Sequence, residues 1–117
     1  LDLLLKSRLV VVPLNMDYCS CGQIALLEAM SFGKPVIVTK VVGSIDYIED
    51  GKTGLFYERG NFKDLRNKII ILSENKELRN TLALEALYAI ENIYNNSVFI
   101  NKFFHFINEK RPKIADL

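Results

Sequence analysis

The amino-acid sequence predicts an α/β domain in which helices cover a parallel β-sheet. Three apolar runs, at 9–14, 35–39 and 55–57, are short enough for strands and rich in branched side chains. They alternate along the chain with segments in which apolar residues recur at helical spacing. This alternation is typical of βαβ units, which place their strands in parallel.

The predicted elements of the first part are a helix end (1–7), a strand (9–14) and a loop (15–20). A helix then follows from Ser20, a preferred N-cap residue, and Gln23 completes a Ser-x-x-Gln capping box. The helix is expected to run to Phe32. Gly33 supplies its C-terminal stop, and Pro35 prevents the helix from resuming.

The remaining predicted elements are a strand (35–39), a short helix (43–50), a turn (50–54), a strand (55–57) and helices at 61–72, 76–94 and 97–108. Asn61 is positioned to cap the first of these three helices. The second repeats Leu78, Leu82, Ala86 and Ile90 at every fourth position, which predicts one apolar face.

Composition excludes several classes of protein. The 117 residues suffice for one domain, and the net charge of +1 gives no indication of a nucleic-acid partner. The longest apolar runs, 9–14 and 69–72, are far shorter than the roughly 20 residues that span a bilayer. Cys19 and Cys21 are too close for an unstrained disulfide and, with His105, too few to bind zinc, so we expect free thiols in a reducing cytosol.

The helix that begins near Ser20 carries a candidate site. With Ser20 as N-cap, the amides of 21–23 are free, at a helix end that carries partial positive charge. Gly22 lets a ligand approach the backbone closely, and Asp17 and Tyr18 lie in the preceding loop on the expected ligand side. This arrangement suits phosphate, but on these residues alone plain helix capping is the simpler interpretation.

Glu28 is a second candidate feature of the same helix. Residues 24–32 are apolar except for Glu28 and Ser31, so we expect the helix to be covered on most sides. Because burying an unpaired carboxylate costs several kcal/mol, Glu28 has either a structural partner or a ligand in a cleft. A carboxylate can accept hydrogen bonds from both vicinal hydroxyls of a sugar ring. The residues themselves leave the two roles evenly balanced.

Residues 22–65, GQIALLEAMSFGKPVIVTKVVGSIDYIEDGKTGLFYERGNFKDL, closely resemble the C-terminal domain of glycosyltransferase family 4 and its GT-B relatives. The family pattern is Glu-Gly-Phe-Gly, Glu-Ala-Met, Gly-x-Pro-Val-Ile, Gly-Gly-x-x-Glu and Asp-Gly-x-Thr-Gly, in that order. The resemblance covers about residues 1–94. It implies a Rossmann-like domain that binds a nucleotide-diphosphate sugar of the UDP or GDP type, without a metal or another cofactor.

The resemblance also implies roles for single residues. Glu28 matches the second motif glutamate, which holds the ribose hydroxyls of the nucleotide. Backbone groups at Gly22, Gln23 and Ile24 match the turn that contacts the diphosphate and the donor sugar. Ala25 follows in the same turn and is expected to add an amide.

The sequence departs from the family pattern at several positions. Ser20 stands at the first motif glutamate, and Cys21 begins Cys-Gly-Gln in place of Gly-Phe-Gly. Val42 replaces the first glycine of the Gly-Gly pair, and Asp46 the glutamate after it. Ser20 can hydrogen-bond a sugar hydroxyl or a phosphate, but it cannot supply negative charge near the anomeric carbon. Donor choice and catalytic strength therefore stay open.

Other features have simpler explanations. The turn at 50–54 lacks the glycine spacing and the helix-start Lys and Ser/Thr of a P-loop. Asp46 and Glu49 could form an acid/base pair, but a solvated helix face explains them better. A flavodoxin-like signalling domain would need an acidic cluster or a phosphoacceptor aspartate at 14–17 or 39–43, and neither segment supplies one convincingly.

Three parallel strands leave open edges, so we expect further strands before Leu1. We expect residues 1–95 to be the C-terminal half of a GT-B nucleotide-sugar-binding domain, truncated at its N-terminal side. Residues 96–117 are expected to form an amphipathic helix and a polar tail. The Phe-rich helix is expected to pack against the sheet or against a missing domain, and peripheral membrane contact is the alternative.

The expected function is donor binding in a retaining glycosyltransferase, of the hexosyltransferase class, for surface glycan synthesis at the cytoplasmic side of the membrane. We assign no catalytic residue to this segment and expect it to be inactive without an N-terminal domain or a companion chain. The alternative is a non-catalytic or split glycosyltransferase subunit that acts as a binding partner.

Overall fold

The computed structural model of the chain describes residues 2–15 and 23–93. The described elements are α1 (Asp2–Lys6), β1 (Val10–Val12), α2 (Gln23–Ser31), β2 (Val36–Thr39), α3 (Val42–Ile45), β3 (Leu55–Tyr57), α4 (Phe62–Glu74) and α5 (Lys76–Ile93). The strands form a parallel sheet in the order β1-β2-β3, which confirms the predicted α/β class. The helix predicted for 97–108 and the tail lie outside the described residues.

The middle strand, β2, is buried on both faces. All four of its residues are buried, and the register pairs Val11 with Ile37 on one side and Ile37 with Leu55 on the other. Because successive side chains of a strand point to opposite faces, Val36 and Val38 pack on one face and Ile37 on the other. The continuous apolar run that predicted this strand therefore reflects apolar layers on both sides.

Two apolar clusters form these layers. The buried residues of the first, on the α2 side, are Val12, Leu26, Leu27, Ala29, Met30, Val36, Val38, Ile48, Ala86 and Ile90. Those of the second, on the α4 side, are Ile37, Leu55, Tyr57, Leu72 and Leu82. Since α5 contributes Ala86 and Ile90 to the first cluster and Leu82 to the second, this one helix ties the two layers together.

The predicted stop of α2 at Gly33 is confirmed. The last residue of the helix is Ser31, one residue before the predicted Phe32. Gly33 has a left-handed backbone with φ of 69°, which glycine adopts without steric cost. Its N–H donates to the Met30 carbonyl at 3.1 Å, and the Lys34 N–H donates to the Ala29 carbonyl at 3.1 Å. These two bonds form a Schellman motif, which satisfies carbonyls at the end of the helix.

Side chains at the helix ends supply further hydrogen bonds. The predicted cap at Asn61 is confirmed, because its Oδ1 accepts the Asp64 N–H at 3.0 Å. Lys34 Nζ donates to the Leu5 and Ser7 carbonyls at 2.8 and 3.1 Å and so holds the end of α1. Partial burial lowers the pKa of this ammonium from its ordinary value. None of the described helices is long and apolar enough to cross a membrane.

Coverage of α2 differs from the prediction on one face. Leu26, Leu27 and Met30 are buried against the sheet and α5, as expected. Ile24, however, is 55% exposed, and Ala25 is exposed as well. These residues are as apolar as those of the buried face, so periodicity could not separate the two faces.

Truncation of the two α2 faces should have unequal effects on stability. Leu27→Ala removes a side chain that is 1% exposed, and we expect it to lower the free energy of unfolding by about 2–5 kcal/mol. Ile24→Ala, on the same helix, should change it by no more than about 0.5 kcal/mol. Urea denaturation of both variants measures the difference, and equal losses would contradict the exposed face.

Candidate functional site

The three strands end at the same edge of the sheet because they run parallel. Val12, Thr39 and Tyr57 are their last residues, and the chain leads from β1 to α2 and from β2 to α3. Open α/β sheets bind ligands at the carboxyl ends of their strands. We call this region the carboxyl edge and define it as residues 13–15, 23–28, 39–45 and 57–59.

The predicted phosphate-binding turn is described in part. Gln23, Ile24 and Ala25 form the first turn of α2, where amides have no intrahelical acceptor and the helix dipole favours anions. Gln23 is half-buried, while Ile24 and Ala25 are exposed. The other predicted contacts lie outside the described residues: Asp17, Tyr18, Ser20, Cys21 and Gly22. Their contacts with a donor remain predictions.

Glu28 lies one turn along α2 from Ile24 and Ala25, on the same side of the helix. Its side chain is half-buried. Across residues 2–15 and 23–93, no group forms a hydrogen bond or an ion pair with its carboxylate. Both oxygens can therefore accept hydrogen bonds from a group outside these residues.

A buried hydroxyl joins the three strands at the carboxyl edge. Thr39 Oγ1 accepts the Leu14 N–H at 2.7 Å and donates to Tyr57 Oη at 2.9 Å. Thr39 is 1% exposed and Tyr57 is 6% exposed. The two bonds connect the segment after β1 with the ends of β2 and β3, so they restrain all three relative to one another.

Ser44 holds the backbone that follows β2. This side chain is fully buried, and its Oγ donates to the Thr39 carbonyl at 2.6 Å. The same Oγ accepts the Val41 N–H at 3.1 Å. These contacts fix the start of α3, where the resemblance locates the Gly-Gly-x-x-Glu block.

Arg59 reaches across the carboxyl edge from the segment after β3. Its Nη1 donates to the Asn15 carbonyl at 3.3 Å. Since Leu14 is bound to Thr39, two consecutive residues after β1 are tethered to the neighbouring strands. Sequence reasoning missed Thr39, Tyr57 and Arg59. The available signal was that Thr39 and Tyr57 are polar residues at the ends of adjacent predicted strands.

The bounds of the short helix predicted for 43–50 are wrong, because α3 comprises only Val42–Ile45, so Asp46 and Glu49 follow the helix and do not form a helix face. Asp46 and Glu49 are exposed, and Glu49 forms an exposed ion pair with Lys52 at 3.8 Å. The segment 50–54 is a turn, in which Thr53 Oγ1 accepts the Glu49 N–H at 2.9 Å. It leads into β3 at the sheet edge opposite the carboxyl edge. Within the described ranges, no cluster of three His, Cys, Asp or Glu residues could hold a metal ion.

Comparison with known proteins identifies a family. Residues 1–87 match the family described as glycosyl transferases group 1. The chain is 42% identical over 77 residues to an uncharacterized glycosyltransferase, MJ1178, of Methanocaldococcus jannaschii. The aligned residues make up 66% of this chain and 21% of that protein. It is 35% identical over 72 residues to the capsular polysaccharide biosynthesis glycosyltransferase CapM of Staphylococcus aureus, covering 62% and 19%.

A third relative is N,N'-diacetylbacillosaminyl-diphospho-undecaprenol alpha-1,3-N-acetylgalactosaminyltransferase of Campylobacter jejuni. It is 33% identical over 85 residues, which make up 73% of this chain and 22% of that protein. The chain thus spans about a fifth of the length of these curated relatives.

The fold also matches a solved structure. The crystal structure of Anabaena HepE in complex with UDP aligns with 92% of this chain and 28% of its own, with a TM-score of 0.65 and 24% identity. This likeness concerns the fold, whereas the family match covers more than half of the sequence. The chain belongs to the group 1 glycosyl transferases, a family of the GT-B type.

Proposed function

We propose that this chain binds the nucleotide-diphosphate sugar of a retaining glycosyltransferase, as part of a family 4 C-terminal domain. One observation carries the proposal. Glu28 is half-buried on the first turns of α2, and its carboxylate has no partner among residues 2–15 and 23–93. In a group 1 glycosyl transferase, a ribose is a ligand that suits such a carboxylate.

The start of α2 would bind the diphosphate. Amides of Gly22, Gln23 and Ile24 would donate to its oxygens, with Ala25 next in the same turn and the helix dipole adding favourable charge. Ser20 would donate its hydroxyl to the sugar or a phosphate, and Cys21 would contribute backbone contacts only. Glu28 would then accept from the two ribose hydroxyls and orient the nucleoside.

The same groups would assist the reaction. During transfer, the bond between the anomeric carbon and a diphosphate oxygen breaks, and a bond from that carbon to an acceptor hydroxyl oxygen forms. The acceptor proton leaves to a base that we do not assign to this chain. The positive helix end would offset the charge that develops on the departing diphosphate, without a metal ion.

The names of the relatives and of the similar structure support a class of donor substrate and a class of product. HepE was crystallised with UDP, which supports a donor of the UDP or GDP type. CapM is named for capsular polysaccharide biosynthesis, and the Campylobacter enzyme for transfer of N-acetylgalactosamine to an undecaprenol-linked sugar. These names favour hexosyl transfer in surface glycan synthesis. We propose the cytoplasmic face of the membrane as its location.

The serine at position 20 supports an alternative to this function. Because serine replaces the glutamate that faces the donor sugar in the resembling enzymes, a non-catalytic or split glycosyltransferase subunit is the alternative. Such a subunit would bind a companion chain and could keep its nucleotide site without turnover.

Glu28→Gln tests the ribose assignment. Gln keeps the shape but loses the charge, so nucleotide binding should weaken by about 1.5–3 kcal/mol, on the order of ten- to a hundredfold in Kd. Isothermal titration of the full-length gene product with UDP, GDP and ADP measures this change. Unchanged affinity would remove the assignment.

Two further measurements serve as controls for this test. Glu49→Gln neutralises an exposed carboxylate outside the carboxyl edge and should leave nucleotide affinity unchanged. Urea denaturation of Glu28→Gln should show a stability change below about 1 kcal/mol. A loss of about 3–5 kcal/mol would instead reveal a structural ion pair.

Ser20→Ala distinguishes the two functions. In an active enzyme, loss of the hydroxyl should reduce sugar transfer about two- to tenfold, the range for one neutral hydrogen bond. Transfer from radiolabelled UDP- and GDP-sugars by the full-length wild-type and variant proteins measures it. Nucleotide binding by a wild-type protein that shows no transfer would favour the non-catalytic subunit.

A further inference from the structure

The polar side chains buried inside this domain fall into two groups. Thr53, Ser31 and Ser44 make local bonds, to backbone groups no more than five residues away. Thr39 instead binds groups that are 25 and 18 residues distant, on both neighbouring strands. A hydroxyl that joins three strand ends restrains their relative positions, which a local bond cannot do.

The Thr39 hydroxyl uses its one proton and one of its two acceptor sites. Its single proton goes to Tyr57 Oη, and its oxygen accepts the Leu14 N–H. The Thr39 backbone is fixed as well, because its carbonyl accepts from Ser44 Oγ at 2.6 Å. The side chain therefore has a defined orientation, and this orientation sets where Leu14 lies.

Leu14 and Asn15 occupy the path from the sheet to α2. Thr39 holds the N–H of Leu14, and Arg59 holds the carbonyl of Asn15. The chain then continues to Gln23, where α2 begins. At its other end α2 is closed by the Gly33 turn. The Leu14 side chain packs against the first apolar cluster, to which α2 contributes Leu26 and Leu27, so the Leu14 bond restrains a residue that packs with α2.

We propose that Thr39 is a positioning residue for nucleotide binding, which acts on α2 through Leu14. This inference rests on the proposed function, since it assigns the nucleotide to that helix end. Thr39 itself does not touch the ligand in this proposal. Its contribution is to hold the carboxyl end of β1 in the binding geometry.

Thr39→Val tests the proposal because valine keeps the shape of threonine and loses the hydroxyl. We expect Kd for UDP or GDP, whichever the wild-type full-length protein binds, to rise about fivefold or more. Thr39→Ser restores the hydroxyl and should return Kd to within about twofold of wild type. Exchange of the Leu14 amide, followed by NMR on protein isotope-labelled at leucine, should become about tenfold faster in Thr39→Val and stay slow in Thr39→Ser.

Thr53→Val is the matched control. Thr53 is also buried, at 6% exposure, and its Oγ1 also accepts a backbone N–H, but it lies at the opposite edge of the sheet. This variant should leave both Kd and Leu14 exchange unchanged. Equal effects of Thr39→Val and Thr53→Val would show general destabilisation and overturn the positioning role.

The remaining outcomes separate the two proposals. If the wild type binds nucleotide and Thr39→Val leaves Kd unchanged, the positioning role alone is overturned. The same holds if Thr39→Ser fails to restore the wild-type Kd. Absence of binding to UDP, GDP and ADP by the wild type overturns the proposed nucleotide site, and the positioning role with it.

Discussion

Parallel pairing of β2 with both of its neighbours is the constraint on which the rest of this structure depends. The register of Val11, Ile37 and Leu55 buries the middle strand on both faces and brings three carboxyl ends to one edge. The crossover helix α2 covers one face of the sheet, α4, which follows β3, covers the other, and α5 packs into both layers. The start of α2 consequently lies at the edge where α/β folds bind ligands.

The polar side chains of the described residues differ in whether the fold supplies them with a hydrogen-bonding partner. Inside the fold, Thr39, Ser44 and Thr53 are buried and hydrogen-bonded, as expected for groups removed from water. Glu28 differs, because none of the described residues pairs with its carboxylate although the side chain is half-buried. This lack of a described partner is the observation on which the proposed ribose contact rests.

Helix α2 has one packed face and one exposed face, although it is apolar along nearly all of its length. One face, with Leu27 and Met30, packs against the sheet and α5 and anchors the helix. The other, with Ile24 and Ala25, stays open beside the first turn. The packed face thus anchors the helix while Ile24 and Ala25 stay exposed, and the Gly33 turn fixes the carboxyl end.

Local sequence patterns were enough to predict the alternation of strands and helices, the strand at 55–57, the cap at Asn61 and the stop at Gly33. These features follow from local chemistry, in which periodicity, capping hydroxyls and amides, and the freedom of glycine act within a few residues. A charge on an apolar helix drew attention to Glu28, and the family resemblance assigned its role. The exposed face of α2 and the meeting of Leu14, Thr39 and Tyr57 became visible only in the folded structure. Those contacts join residues 18 and 25 positions apart, and their partners are chosen by strand register, which no local pattern encodes.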